Sequence, residues 1–524
     1  MLGCAALACT VSALASGAGA RPSQGGTFRI ALPAAQFDSI DPYLNAFPAP
    51  GFVFGLTCAS LLAYPPKAPP AGYRLVPDLA ATQPRITNGG RTYTYTLRAG
   101  RRFSTGAPVT VGDVAASFHR ALDPRLRSTR TATFEDIVGA GNVLAGRARR
   151  ASGVVVRPRK RQVVFRLRRA RADFLATSAT LCVVPAGLPL DPEGVRPVSA
   201  GPYVVTSYVP GRRVVLTRNR NYSGHFRGRV DRFEVALTDA GSIVGQVERG
   251  DVDWGWVSNQ EIAPRAQALA ERHGVNRSRF FLRRGLFRRM LVLNASQPLF
   301  RNNARLRRAV NFAIDRRALL RARGFRAGVL TDQYLPPGLP GFRNERIYPL
   351  GRPDIRTARR LARGRTRGGE AVFYGPIGSV GTASGEIVRR SLAPLGISVA
   401  VRLFPNRQLF DRLATRGEPF DIGWIGWLGP PDPVVLNFTF HGKGCCNRSN
   451  FDSPRYNALL RRAARLTGRA RYRAYGRIDV DLARNAAPAV QYAVDNAMTF
   501  VGPRVPRRCV VLNPELDLRS VCLR

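Results

Sequence analysis

Lysine is nearly absent from this sequence. Lys67, Lys160 and Lys443 are the three lysines in 524 residues whose formal net charge is +47, so arginine carries almost all of the positive charge. An arginine-for-lysine skew beside abundant Ala, Gly and Pro is what a GC-rich coding sequence produces. The arginines are scattered, with short clusters at 147–150, 157–161 and 305–308 and no long basic arm. Nucleic-acid recognition concentrates charge on one face or arm, so no nucleic-acid partner is expected. Histidine is also scarce: His119, His225, His273 and His441 are not paired at ligand spacing, and there is no Cys-x-x-Cys. A metal site is not expected. Gly-x-Ser-x-Gly, Ser-x-x-Lys and His-Glu-x-x-His are missing as well, which argues against the common hydrolase chemistries. Gly375 to Gly381 is glycine-rich after a strand but lacks the Gly-Lys-Ser/Thr ending of a phosphate loop. No catalytic residue and no cofactor is expected. After the N-terminal segment no stretch reaches the ~18–20 uninterrupted apolar residues of a spanning helix.

What is present describes an exported globular chain. Apolar residues make up 45% of it, enough for two or three packed domains. Residues 1–20 are uncharged and weakly apolar, then turn small and flexible. Ala18-Gly19-Ala20 fits a cleavage site that leaves Arg21 first, so 1–20 are expected to be a signal peptide. No basic stretch precedes the apolar run, which leaves the true start open. Cys4 and Cys9 are candidates for a lipid anchor, although neither follows a Leu-Ser/Ala-Gly/Ala triplet. Six cysteines remain: Cys58, Cys182, Cys445, Cys446, Cys509 and Cys522. An even count in an exported chain points to disulfides. Cys509 and Cys522 bracket a short tail and are the first expected pair. Adjacent Cys445 and Cys446 are expected to take different partners, or to leave one free.

Periodicity gives the outline. Thr92 to Arg98 alternates strictly, putting Tyr93, Tyr95 and Leu97 on one face. Thr110 caps a helix with Asp113 in its first turn, and Val111, Val114, Phe118, Ala121 and Leu122 follow at helical spacing. Hairpins are expected around 157–161 and Pro210-Gly211, with strands at Gly25–Leu32 and Val230–Leu237. From about residue 290 the texture alternates: strand Met290–Asn294, helix Ala304–Arg321, helix Ile355–Arg363, strand Ala371–Tyr374, helix Gly385–Leu395, strand Ser398–Phe404, helix Gln408–Thr415 and strand Phe420–Trp424. That is an α/β domain.

Several segments together resemble the family 5 extracytoplasmic solute-binding proteins of ABC importers, the peptide- and nickel-binding family. Leu75-Val76-Pro77-Asp78-Leu79-Ala80 leads into Tyr93–Gly100, Phe103-Ser104-Thr105-Gly106, Pro108-Val109-Thr110 and Asp113-Val114, a run similar to the family signature in order and spacing. Ala200-Gly201-Pro202-Tyr203, Glu248–Asp253, Leu306–Arg316 and the Asp421-Ile422, Gly426-Trp427, Asp432-Pro433 series resemble later family segments. The resemblance implies an α/β, periplasmic-binding-protein-like type II (cluster C) bilobal fold with an extra small inserted domain. Lobe I would comprise 24–57, 186–284 and 488–524, the small lobe II 58–185, and the α/β lobe III 285–487. It implies a periplasmic or membrane-surface receptor, monomeric and without enzymatic activity. Such a receptor closes on a small peptide-like solute and delivers it to ABC permease subunits. An exported envelope protein holding anionic polymer, or an exported hydrolase, is the alternative.

The family's peptide receptors often carry an Asp just before the Asp-Pro of the Trp segment, which anchors the peptide amine. Here Gly429 or Pro430 occupies that position. Candidate ligand contacts are Trp427, Trp424, Asp432, Tyr374, Ser379 and Trp256. The indoles would stack on a flat or apolar ligand, and the polar groups would fix its orientation. The competing roles are core packing for the indoles, a turn for Asp432 and a solvated loop for Tyr374 and Ser379. Scarce histidine disfavours the nickel branch.

Overall fold

In the computed structural model the described residues are 25–190 (except 46, 129 and 172), 198–513 (except 227, 258 and 467) and 515–524. The expected signal peptide and the candidate anchors Cys4 and Cys9 lie outside them. Among the described residues no helix is long and apolar enough to cross a membrane.

Three main sheets organise the chain. The first has five strands in the order Trp254–Gly255, Thr27–Pro33, Arg232–Thr238, Arg213–Arg218, Tyr203–Val209. Thr27–Pro33 lies between two parallel neighbours, and the last three strands form an antiparallel meander. Buried Asp253 ties this lobe together. It accepts the Arg29 backbone N–H at 2.7 Å and both Nε (2.9 Å) and Nη2 (2.7 Å) of Arg504. The Asp-containing motif at 248–253 is therefore a structural clasp between the first strand and the C-terminal segment.

The second sheet is antiparallel, in the order Arg85–Thr87, Thr92–Thr96, Gln162–Arg166, Val154–Arg157. Tyr93 and Tyr95 are buried as their alternation requires, packing toward Phe165 and Phe174. The helix Val111–Leu122 starts at a complete capping box. The Asp113 N–H donates to Thr110 Oγ1 at 3.2 Å, and the Thr110 N–H donates to Asp113 Oδ2 at 2.8 Å. Cys58–Cys182 closes the two ends of this small unit, and Cys509–Cys522 ties the C-terminal tail. Cys445 and Cys446 are both free thiols, so the expectation of a partner for at least one is corrected. The adjacent pair lies in a loop away from the other cysteines, which bond with each other.

The third sheet is mixed, six strands in the order Gly328–Leu330, Ala489–Phe500, Phe280–Leu293, Ile422–Leu428, Glu370–Pro376, Ser398–Phe404. Its two longest strands, Phe280–Leu293 and Ala489–Phe500, join the lobes. Their inner ends, Met290–Leu293 and Ala489–Ala493, belong to the core of the third sheet. Their outer ends, Phe280, Phe281, Met498 and Phe500, pack in the cores around the first sheet. The ladder between them is irregular from Arg284 to Arg288, the kind of bulge that bends a strand pair. At Gly285 a Cβ would stand 2.9 Å from the Asp495 carbonyl, so glycine alone permits that approach.

Several elements differ from the sequence reading, among them the helix expected at Gly385–Leu395, which starts at Ser379. The strand expected at Met290–Asn294 begins at Phe280, because Arg283, Arg284, Arg288 and Arg289 interrupt its apolar pattern. The helix expected over Ala304–Arg321 is two, Ala304–Ala313 and Arg316–Arg321. Asp315 breaks it by accepting the Ala318 N–H at 2.8 Å and capping the second helix. The strand expected at Phe420–Trp424 runs from Ile422 to Leu428.

One carboxyl gives the fold a pH signature. Burial alone pushes Glu515 up to about 7. A folded-state value above the unfolded one favours the protonated native state, so this contribution is complete below about pH 4.5 and lost as pH rises through 7. Glu515→Gln is expected to gain up to roughly 3 kcal/mol relative to wild type between pH 4.5 and 8. Urea unfolding of the two proteins at both pH values measures it. An equal pH slope in both would remove Glu515 as the source.

Candidate functional site

The segment Ile422–Leu428 reads Ile-Gly-Trp-Ile-Gly-Trp-Leu, and extended backbone sends alternate side chains to opposite faces of the sheet. Trp424 and Gly426 share one face and Trp427 takes the other. Gly426 is what allows the first face to hold a guanidinium. A Cβ there would meet Arg289 Nη1 at 2.1 Å and Phe287 Cε1 at 2.4 Å. Arg289 therefore lies across the strand, 4.2 Å from the Phe287 ring centroid and 5.1 Å from that of Trp424.

Arg289 reaches Asp495 on the neighbouring strand through Nη2 at 2.8 Å and Nε at 2.9 Å. Arg323 Nη2 donates to the same Oδ2 at 3.0 Å. Two guanidiniums thus share one carboxylate that is 3% exposed, leaving an excess of one positive charge in a buried place. Polar atoms here remain unmatched: Asp495 Oδ1, Tyr492 Oη, Trp424 Nε1 and Arg323 Nε are buried without a well-formed hydrogen bond. Tyr492 stands among Arg323, Arg289, Asp495 and Trp424, and burial raises its phenol above the usual range. Tyr492 lies within hydrogen-bonding reach of both Arg323 and Trp424, so these groups form one buried polar cluster around Asp495.

The surroundings suit a ligand. Leu428, at the end of the same strand, is 55% exposed, and Ile377, just past the parallel strand Glu370–Pro376, is 60% exposed. Both lie at carboxyl ends of parallel strands, the usual location of ligands in such sheets. The helix Ser379–Leu392 follows Gly378, whose φ of +99° requires glycine. At Gly381 a Cβ would come within 1.6 Å of the Pro376 carbonyl, so the strand-to-helix turn is tight.

Of the candidate contacts, Trp424 belongs to this cluster. Ser379 opens the helix beside exposed Ile377. Trp427, half-buried on the opposite face, is covered by Arg288 at 4.4 Å and packs edge-on to Phe438. Tyr374 is buried between Phe404 and Phe420, its hydroxyl donating to Glu418 at 3.2 Å. Asp432 is held bidentately by Arg471 at 2.6 and 2.9 Å. Trp256 sits in the first lobe against Phe52, 5.7 Å between centroids. The structure thus places Tyr374 and Asp432 in packing and ion-pair roles. Both have their polar groups matched within the chain. Sequence reasoning missed Arg289, Arg323, Tyr492 and Asp495. A usable signal was present: Arg283-Arg284 and Arg288-Arg289 interrupt an apolar strand, and Asp495 is the lone acid in Ala489–Phe500.

The sequence profile described as "Bacterial extracellular solute-binding proteins, family 5 Middle" matches residues 74–444. The chain belongs to this family. Among curated family relatives, "Protein XP55" of Streptomyces lividans is 27% identical over 420 residues, 74% of this chain and 70% of that protein. "Heme-binding protein A" of Haemophilus influenzae is 25% identical over 457 residues, covering 80% and 79%. Among solved structures, "Clavulanic acid biosynthesis oligopeptide binding protein 2" superposes with a TM-score of 0.82 at 25% identity, covering 96% of each chain. Membership establishes the bilobal type II fold and a substrate-binding receptor role outside the cytoplasm. The family is one of binding proteins rather than enzymes.

Proposed function

We propose that this family 5 receptor captures a small peptide-like solute carrying a free carboxylate and hands it to an ABC import permease. The supporting observation is the Arg289–Asp495–Arg323 cluster beside Trp424, in which two guanidiniums share one carboxylate. A planar carboxylate matches the guanidinium fork. The exposed side chains of Ile377 and Leu428 offer apolar contact to the rest of the solute. Asp432 is taken by Arg471 and position 430 is proline, so the solute is held by its carboxylate rather than by an amine. In this reading 24–57, 186–284 and 488–524 form lobe I, 58–185 lobe II and 285–487 lobe III. The strands Phe280–Leu293 and Ala489–Phe500 bend as the hinge.

Thermal unfolding with short peptides in three forms tests this. Free-carboxylate peptides are expected to raise Tm saturably, about 2.7 kcal/mol of stabilisation at a hundredfold excess over Kd. Amino-terminal acetylation is expected to leave the shift in place, while carboxyl-terminal amidation weakens binding tenfold or more. Equal binding of amide and acid forms would reject the carboxylate assignment.

A further inference from the structure

Cys445 and Cys446 are the free thiols among the described residues, and their sulfurs stand 2.9 Å apart. The loop presenting them is firmly held. It folds back on the helix Val435–Phe440, the Cys446 N–H donating to the Phe438 carbonyl at 3.0 Å and the Gly444 N–H to the His441 carbonyl at 2.7 Å. A Cβ at Gly444 would meet the Phe438 carbonyl at 2.4 Å, so only glycine lets the loop lie this close. Asn447 Nδ2 closes it by donating to the Phe451 carbonyl at 2.7 Å. Cys445 is exposed and Cys446 half-buried, so attacking reagents reach the pair from solvent. Cys446 also lies within hydrogen-bonding reach of the Trp427 indole and feels Arg448 and Arg288. With the hydrogen bond from Cys445 as the largest cause, these lower its thiol to about 7. Elsewhere the chain carries two disulfides, as suits an oxidising compartment.

We propose that Cys445 and Cys446 are a modification site, a vicinal dithiol that closes reversibly to a disulfide by exchange with low-molecular-weight disulfides and changes the surroundings of Trp427 as it closes. The Cys446 thiolate attacks one sulfur of R–S–S–R, forming Cys446–S–S–R and expelling RS⁻, which takes up a proton as RSH. Cys445 then gives its proton to solvent and attacks the Cys446 sulfur, expelling the second thiolate. The protein dithiol is oxidised by two electrons and the small disulfide is reduced to two thiols. Adjacent α-carbons sit only about 3.8 Å apart, closer than ordinary disulfides span, so the bond formed is readily reduced again. Closure draws Cys446 toward Cys445 and away from the indole, so the redox state is read at Trp427. The proposal is independent of the solute's identity.

The protein, with Cys58–Cys182 and Cys509–Cys522 intact, is treated with oxidised glutathione, alkylated with iodoacetamide without reduction and mapped by mass. Before treatment both Cys445 and Cys446 are expected to carry the alkyl group. Afterwards their peptide is expected to be unalkylated and lighter by two hydrogen atoms, with dithiothreitol restoring both sites. Phenylarsine oxide, a reagent for neighbouring thiols, is expected to add to the pair, read as a mass increase, before treatment and not after. Tryptophan emission should change in step, and Trp427→Phe should abolish that change. A stable glutathione adduct, or unchanged alkylation of both cysteines, would overturn the closure. A closed bond with unaltered emission would overturn the coupling to Trp427.

Discussion

Replacing Cys58 and Cys182 together by alanine is expected to cost roughly 4–5 kcal/mol, because the lost cross-link constrains a very long loop of the unfolded chain. The bonded cysteines are 124 residues apart in sequence. The loop they close contains the four-stranded sheet Arg85–Thr87 to Gln162–Arg166 and the helix Val111–Leu122. The bond sits at the neck of that unit, where the Val183 N–H also donates to the Ala59 carbonyl at 2.9 Å and the Tyr43 hydroxyl donates to the Cys182 carbonyl. The effect is therefore expected to be local. Hydrogen exchange should speed up by about three orders of magnitude or more in Thr92–Thr96 and Gln162–Arg166. Exchange in Glu370–Pro376 should remain as in wild type. Acceleration spread evenly over both regions would mean that the unit does not unfold separately. No acceleration anywhere would mean that the bond closes a neck already held by packing.

The small unit was legible because its signals are local. Strict alternation places Tyr93 and Tyr95 inward, and Thr110 and Asp113 satisfy each other three residues apart. The family signature runs through the same stretch. The crossing strands were harder. Ala489–Phe500 is buried on both faces and so shows no alternation, and a continuous apolar run does not distinguish strand from helix. Phe280–Leu293 hides behind its arginines, which read as surface in a chain where arginine is everywhere. The tryptophans show a different limit. The expected strand ended at Trp424, whereas the observed one runs on to Leu428 and so sets residues 424 and 427 on opposite faces of the sheet. The site could not be assembled from sequence because its members come from distant segments. Arg289 and Arg323 lie 206 and 172 residues from the Asp495 they share.

Arg289→Ala and Asp495→Asn are expected to move carboxylate binding in opposite directions, and this separates a ligand site from a structural ion pair. Arg289 is partly buried, stacked on Phe287 and Trp424 and bonded to Asp495. Removing one partner of a desolvated, hydrogen-bonded charge pair typically costs 2–5 kcal/mol. For a peptide whose carboxylate sits on this guanidinium, the affinity should fall at least ~30-fold. Asp495 competes with the incoming carboxylate for the same two arginines. The Asp495→Asn change removes the negative charge, frees the arginine donors and keeps the shape. Affinity should therefore rise several-fold while the empty protein loses stability, because two buried like charges then face each other. Calorimetric titration of wild type and both variants with the same free-carboxylate peptide reads the two signs. Weaker binding in both variants, in proportion to their lost stability, would assign the cluster to holding the crossing strands together. Opposite signs require the solute's carboxylate to take its place beside Asp495, because only a shared pair of donors makes the protein's own acid a competitor.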